Sequence, residues 1–134
     1  MKVLLDTNII IDNLARRDEN KESLQIFDLC ENGRLAGIVT TVTIMDVMYI
    51  LRKHLGAAEL RSAIQMLMQI MDVFPVQKND ISKTLFGGFT DFEDAVQASC
   101  AARAKADYIV TRNVKDFESS TVPAILPSDF LKRI

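Results

Sequence analysis

Short apolar segments alternate with longer amphipathic segments along the whole chain. The short segments have the length and composition of buried strands and span residues 2–6, 35–41, 72–76, 108–111 and 122–126. Strands that alternate with helices form a mainly parallel sheet that is covered by helices on both faces. The sequence therefore predicts an α/β fold with three layers, α/β/α, around five strands.

The length of 134 residues predicts a single domain over residues 1–134. Its 49% hydrophobic and 25% charged residues are typical of a globular protein and exclude a disordered one. No apolar run approaches the roughly 18 residues of a membrane span, so we expect no membrane partner and a cytoplasmic protein. Cys30 and Cys100 lack metal-ligand spacing, which favours reduced core thiols over a disulfide.

Acidic residues stand where the predicted strands end or where the following helices begin. Asp6 ends the first strand, Asp116 follows the fourth, and Asp46 and Asp94 lie near the starts of helices. Ligands of a parallel α/β sheet bind beyond the carboxyl ends of its strands, where the winding reverses. All four carboxylates can therefore face one rim of the sheet.

Asp46 is the only charged residue between Val42 and Leu51, in a helical stretch that is otherwise apolar or hydroxyl-bearing. Burying an unpaired carboxylate is costly, so its presence favours a function. An alternative is that Asp46 pairs with a nearby Arg or Lys, or bonds to Thr41 or Thr43.

Asp6 has an equally good structural explanation when it is taken alone. Aspartate between a strand and a helix is a favoured N-cap. Its neighbours Thr7 and Asn8 can also bond locally in a turn, or position a substrate. The functional interpretation of Asp6 therefore depends on several acids converging.

Asp91 and Asp94 are three residues apart and share one face of a predicted helix. Thr90 and Glu93 form a T-x-x-E pattern, which predicts a capping box at the start of this helix. Favourable charge at a helix start explains Asp91 well, and a metal ligand is the alternative. Asp94 lies further into the helix and begins a face of small residues, which favours a functional role.

Asp116 lies in the segment T-R-N-V-K-D-F, after the fourth strand, where a lone aspartate is usually a turn former. In the same segment, Thr111 and Asn113 can orient the acids or a metal-bound water. Arg112 and Lys115 can contact phosphate. Solvated surface charge is the alternative for both basic residues.

Carboxylates gathered in a small space repel one another, and a hard divalent cation with oxygen ligands relieves the repulsion. Mg²⁺ or Mn²⁺ suits such a set, whereas zinc prefers His or Cys. The only histidine, His54, lies near a helix C-terminus and is interpreted as structural. Gly87 and Gly88 do not begin a phosphate-binding P-loop. Acids with Mg²⁺ favour phosphodiester hydrolysis by metal-activated water.

The net charge of −2 does not exclude RNA as the substrate. If four of the 18 acidic residues bind metal, 14 remain against 16 Lys and Arg. The bound cation makes this balance still more positive.

Three segments in this order resemble the motifs of the PIN-domain family, in particular the VapC-type toxin ribonucleases of toxin–antitoxin pairs. They are LLDTNIIID at residues 4–12, DFEDAVQASCA at 91–101 and YIVTRNVKDF at 108–117. The resemblance spans essentially the whole chain and implies a PIN-like fold with a five-stranded parallel sheet. It further implies an Mg²⁺- or Mn²⁺-dependent endoribonuclease with an antitoxin partner.

By position, the resemblance assigns metal binding to Asp6, Asp94 and Asp116. The second acid of the family is usually glutamate, and Asp46 stands at its place with a side chain one methylene shorter. This difference favours the alternative of a catalytically inactive PIN-like domain that binds RNA or acts as a scaffold. A phosphatase of the D-x-D type is a further alternative, but Asn8 replaces its second aspartate and the chain lacks a cap domain.

The helix predicted over residues 57–71 carries more apolar surface than one core-facing stripe needs. The stripe consists of Leu60, Ile64, Leu67 and Met71, while Met66, Met68 and Ile70 spread around the cylinder. We expect a homodimer or higher oligomer, or an antitoxin peptide, to cover the excess, because Met-rich surfaces adapt to partners. A deeply buried helix is the alternative.

Overall fold

A computed structural model describes residues 1–134 of the chain. The strands are β1 (Lys2–Leu5), β2 (Ala36–Thr40), β3 (Asp72–Phe74), β4 (Tyr108–Val110) and β5 (Ala124–Ile125). The helices are α1 (Thr7–Leu14), α2 (Lys21–Glu31), α3 (Thr41–Leu51), α4 (Ala57–Ile70), α5 (Lys78–Thr84), α6 (Phe92–Arg103) and α7 (Pro127–Leu131), and a 3₁₀ helix covers Val114–Phe117. None of the helices is both long and apolar enough to cross a membrane.

The five strands form one sheet in the order β3-β2-β1-β4-β5, and every neighbouring pair is parallel. The central strand β1 pairs with both β2 and β4, with Val3 opposite Gly37 on one side and Tyr108 on the other. The chain winds from β1 to β2 and β3, then crosses back to β4 and β5. The winding therefore reverses beside β1, and Asp6 is the first residue beyond it.

Helices cover both faces of the sheet, which confirms the predicted three-layer α/β/α architecture. Alternate residues of β1 point to opposite faces: Val3 and Leu5 join the larger apolar cluster, and Leu4 joins the smaller. Helices α1, α2, α3, α4 and α7 contribute to the larger cluster, and α6 contributes to the smaller. Both cysteines are buried and free, Cys30 in the larger cluster and Cys100 in the smaller, as expected for core thiols.

The start of α6 differs from the prediction by one residue. The cap is Asp91, whose carboxylate accepts a hydrogen bond of 3.0 Å from the backbone N–H of Asp94, so the predicted Thr90–Glu93 capping box is wrong. Aspartate is a better N-cap than threonine, and the pattern offered both in succession. The shift releases Glu93 from a capping role.

For the short helix before Gly87 and Gly88, the local sequence predicts a cap at Asn79 or Asp80, and this prediction is wrong for α5. The helix begins at Lys78 after Gln77, not at Asn79 or Asp80. Asp80 lies inside the first turn, where its carboxylate accepts from the backbone N–H of Gln77 at 2.8 Å and forms a 2.8 Å ion pair with Arg103 of α6. Arg103 is distant in the sequence, so local sequence patterns cannot indicate this ion pair with Asp80.

Candidate active site

A cavity of about 450 Å³ opens at the carboxyl end of β1. All five of the acids singled out from the sequence line it, namely Asp6, Asp46, Asp91, Asp94 and Asp116. Of the residues predicted to position substrate, Thr7, Asn8, Arg112 and Asn113 also line it. Thr111 lies buried beneath Asp6, whereas Lys115 is exposed and does not line the cavity. His54 lines a separate groove beside α4.

The cavity collects its acids from separate elements. Asp6 follows β1, Asp46 lies in the second turn of α3, and Asp94 lies in the first turn of α6. Asp116 belongs to the 3₁₀ helix after β4, and Asp91 caps α6. These elements surround the point where the winding of the sheet reverses, which is where α/β folds place their ligands.

Asp6 is both the N-cap of α1 and the deepest of these acids. Its Oδ1 accepts from the backbone N–H of Thr7 at 2.8 Å. Its Oδ2 accepts from the Thr111 hydroxyl at 2.7 Å and from the Asn8 amide at 3.2 Å. Burial raises the pKa of Asp6, although these hydrogen bonds oppose the shift. The two interpretations of Asp6 are therefore compatible, because one carboxylate caps the helix and faces the cavity.

Burial and mutual repulsion raise the pKa of two further acids. The pKa of Asp94 is raised to about 7 by burial, and then by the charges of Asp91, Asp6 and Asp116. The pKa of Glu93 is raised to about 8, first by a hydrogen bond to Asp46 and then by burial and nearby carboxylates. Part of the cluster is thus protonated near neutral pH as long as no cation relieves the repulsion.

Glu93 and Gln97 line or support the site but were missed by sequence analysis. Glu93 was assigned to a capping box, and only the true cap at Asp91 directs it to the cavity. Gln97 is fully buried beneath the cavity, where its amide donates to Asp6 Oδ1 at 3.5 Å. The available signal was a polar residue among the small and apolar residues of α6, the same signal that singled out Asp46.

Another buried carboxylate, Asp12, pairs with the two arginines that line the cavity, Arg112 and Arg17, which together form its basic rim. Arg112 Nη2 lies 3.2 Å and Arg17 Nη1 3.9 Å from Asp12 Oδ1. The Ser23 hydroxyl and the Asn20 amide donate to the same carboxylate at 2.9 and 3.0 Å. Arg112 therefore lies at the rim of the cavity as an exposed residue that is paired with a buried carboxylate.

The donor set of the cavity suits a hard divalent cation. Its carboxylates are oxygen donors, and neither His nor Cys lines it, which fits Mg²⁺ or Mn²⁺ better than zinc. No three acidic, His or Cys side chains stand close enough to hold one ion in this arrangement. Glu93 and Asp46 instead share a hydrogen bond. The chemistry of the donor atoms therefore suits the ion, whereas their spacing in this arrangement does not form a site for it.

Comparisons with known proteins agree with this architecture. A family model described as PIN domain matches residues 2–115. The fold is similar to VapBC2 from Rickettsia felis bound to a promoter DNA fragment, with a TM-score of 0.71 and 16% identity over 94% of this chain and 98% of that one. No match was found among curated proteins.

Two further solved structures share the fold at low sequence identity. A toxin–antitoxin complex from Klebsiella pneumoniae is 23% identical, with a TM-score of 0.67 over 93% of this chain and 97% of that one. FitAcB from Neisseria gonorrhoeae is 18% identical, with a TM-score of 0.67 over 94% and 98%. Because the family model covers most of its length and the sheet has the expected order, this chain belongs to the PIN-domain family.

Proposed function

We propose that this chain is a metal-dependent endoribonuclease that acts in the cytoplasm as the toxin of a toxin–antitoxin pair. The observation that carries the proposal is the convergence of six carboxylates on one cavity at the reversal point of the sheet. Membership of the PIN-domain family supports hydrolysis of nucleic acid. Like charges are brought together at a cost in stability, which is typical of active sites.

Asp6, Asp46, Asp94 and Asp116 would hold Mg²⁺ or Mn²⁺, with Asp91 and Glu93 beside them. The bound ion supplies an activated water and neutralises the scissile phosphate. Thr111 and Thr7 hold the Asp6 carboxylate in place by hydrogen bonds. In the metal-free protein, Glu93, whose pKa is raised to about 8, forms a hydrogen bond with Asp46.

The basic rim would bind the substrate backbone. Arg112 and Arg17 line the cavity and are paired with Asp12, so their guanidinium groups lie where they can bind the anionic oxygens of a phosphodiester. Asn113 lines the same edge, and its backbone N–H donates to the Thr111 hydroxyl at 3.0 Å. Arginines beside the carboxylates thus offset the repulsion between the acids and RNA.

The proposal is tested by incubating the purified chain with a labelled single-stranded RNA and with DNA of the same sequence. We expect cleavage of the RNA with Mg²⁺ or Mn²⁺, loss of cleavage with EDTA, and recovery when the metal is added back. Tight RNA binding without cleavage under any metal would favour the inactive PIN-like domain. Turnover of a generic phosphate monoester in place of RNA would favour the phosphatase.

Replacing Arg112 by glutamine is expected to weaken RNA binding and to lower the salt dependence of the affinity by about one unit of slope. Glutamine is chosen because glutamate would stand against the buried Asp12. Lys115→Gln is the matched control, since Lys115 is basic and nearby but does not line the cavity. Binding is measured by fluorescence anisotropy in an Asp94→Asn background that leaves the RNA intact. Equal effects of both changes would remove the special role of Arg112.

The antitoxin is proposed because similar folds occur in structures described as toxin–antitoxin complexes. The discriminating observation is the neighbouring reading frame. A small adjacent gene with a DNA-binding start should encode a protein that co-purifies with this chain and inhibits its nuclease activity. If the two proteins do not associate when they are co-expressed, the proposed antitoxin partner is contradicted and the ribonuclease activity is not.

Self-association is proposed through the exposed apolar surface of α3 and α4. The alternative of a deeply buried α4 is wrong, because Met66 is 40% and Met68 54% exposed. Met48, Leu60, Ile64 and Met68 line a groove of about 580 Å³ between the two helices. The exposed apolar side chains of α3 continue this surface: Met45, Met48, Tyr49 and Ile50.

We expect Met68→Lys to shift the chain from dimer to monomer in sedimentation velocity at micromolar concentration, because it places a charge in this groove. Ile81→Lys on α5 is the matched control, since Ile81 is also 54% exposed but lies outside the groove. A parent that is already monomeric would contradict the proposed oligomer.

A further inference from the structure

Beneath the acidic cavity, Gln97 lies fully buried in the middle of α6. Its carbonyl oxygen accepts from the Thr40 hydroxyl at 2.6 Å. Its amide donates to the Thr43 hydroxyl at 2.9 Å and to Asp6 Oδ1 at 3.5 Å. A carboxylate offers only acceptors, so the amide nitrogen must face Asp6. Both polar atoms of Gln97 are therefore engaged in an interior where unpaired groups are costly.

The hydrogen bonds continue from Gln97 to the element that follows β1. The Thr43 hydroxyl lies 3.0 Å from the Thr7 hydroxyl. The Thr40 hydroxyl also accepts from the backbone N–H of Thr43 at 3.2 Å, which caps α3. One buried network thus joins the carboxyl ends of β1 and β2 to the helices α3 and α6.

The network lies one helical turn below the acids that those helices carry. Thr43 precedes Asp46 by three residues on α3, and Gln97 follows Asp94 by three residues on α6. Residues three apart share one face of a helix. The hydrogen bond between Thr43 and Gln97 therefore links α3 to α6 one helical turn from Asp46 and from Asp94.

We propose that Gln97 is a positioning residue that orients the Asp6 carboxylate and sets the spacing of α3 and α6 for a divalent cation, without contacting the ion. This inference rests on the proposed metal-dependent function. Groups that hold metal ligands by hydrogen bonds typically change metal affinity 10- to 100-fold when they are removed. The competing explanation is a polar group that is satisfied in the core and only stabilises the fold.

The test compares Gln97→Leu with Ser99→Ala on the same helix. Ser99 is also buried and polar, but its hydroxyl donates to Asp80 at 2.7 Å, away from the cavity. For each protein, Mn²⁺ affinity is measured by calorimetry, and the melting temperature is measured without metal. We expect both variants to melt at a lower temperature, with Mn²⁺ affinity reduced about 10- to 100-fold by Gln97→Leu alone.

Thr43→Val and Thr43→Ser provide a second pair in case Gln97→Leu does not fold. Valine removes the hydroxyl that accepts from Gln97 and should weaken Mn²⁺ binding, whereas serine keeps the hydroxyl and should restore it. If the parent binds Mn²⁺ and cleaves RNA, and the variants bind Mn²⁺ with the same affinity as the parent, then only the proposed role of Gln97 is overturned. A parent that binds no Mn²⁺ overturns the proposed metal-dependent function, and with it this inference.

Discussion

Asp94→Asn is expected to abolish metal-dependent RNA cleavage and, at pH 8 without metal, to raise the melting temperature of the protein. The folded state raises the pKa of Asp94 to about 7 from its ordinary value of 3.8, because the group is buried among Asp91, Asp6 and Asp116. Asparagine keeps the shape of the side chain and removes the charge that these neighbours oppose.

The sign of this effect depends on pH. An acid whose pKa is higher in the folded state than in the unfolded state binds its proton more tightly when folded, so stability falls as pH rises through that interval. For Asp94 the interval runs from about 4 to about 7. The stabilisation by Asp94→Asn should therefore be largest at pH 8 and vanish near pH 4, where both side chains are neutral.

Melting curves with and without metal complete the test. Mg²⁺ or Mn²⁺ should raise the melting temperature of the parent more than that of the variant, because binding to the folded state stabilises by mass action. Asp72→Asn, at an exposed acid on β3, is the control and should change neither cleavage nor the metal response. If Asp94→Asn still cleaved RNA, this result would falsify the assignment of Asp94 to the active site.

Arg103→Met is expected to lower the free energy of unfolding at pH 7, because it leaves the Asp80 carboxylate without its charged partner. The Arg103 Nη2 atom lies 2.8 Å from Asp80 Oδ2 and also donates to the Pro75 carbonyl at 2.6 Å. Its guanidinium stacks 4.3 Å from the centre of the Phe74 ring.

The pH dependence distinguishes this ion pair from packing alone. Hydrogen bonds and the charge of Arg103 lower the pKa of Asp80 to about 2 from 3.8, despite its burial. Stability from the pair is therefore present above about pH 4 and is lost as pH falls towards 2. In urea unfolding experiments, the difference in unfolding free energy between the parent and Arg103→Met should decrease as the pH is lowered from 4 to 2.

A double variant distinguishes the loss of the ion pair from the cost of leaving the Asp80 carboxylate unpaired. Asp80→Asn combined with Arg103→Met should be more stable than Arg103→Met alone, because no buried charge then remains unpaired. If the single variant unfolded with the same free energy as the parent, the pair would contribute no more than an exposed surface salt bridge.

Local sequence patterns determined the layers, the number of strands and the edge of the sheet at which the acids lie. Apolar residues repeat every two positions in a strand and every 3.6 positions in a helix. These repeats, and a carboxylate at the end of a strand, can be recognised within a few neighbouring residues. Asp6, Asp46, Asp94 and Asp116 could therefore be chosen before any contact was known. The spread of apolar residues around α4 likewise indicated exposed surface, and Met68 is exposed.

Capping was decided by tertiary structure wherever the local pattern offered adjacent choices. Thr90 and Asp91 are both good N-caps, and a shift of one residue moved Glu93 from the helix start to the cavity. Asp80 was expected at a cap, but its partner Arg103 lies on another helix. The N-cap preferences of neighbouring residues such as Thr90 and Asp91 differ by too little to decide between them, so contacts with distant elements also affect where the helix begins.

The buried polar partners could be found only in the folded chain. Gln97 and Asp6 are 91 positions apart, and Thr111 and Asp6 are 105 apart, so no local pattern connects them. The charge of Asp12 gave no hint that it would bind Arg112 from beneath the cavity rim. Sequence periodicity records which side of an element faces the core, because that is a property of neighbouring residues. Which polar groups meet inside the core depends on how the distant elements pack together.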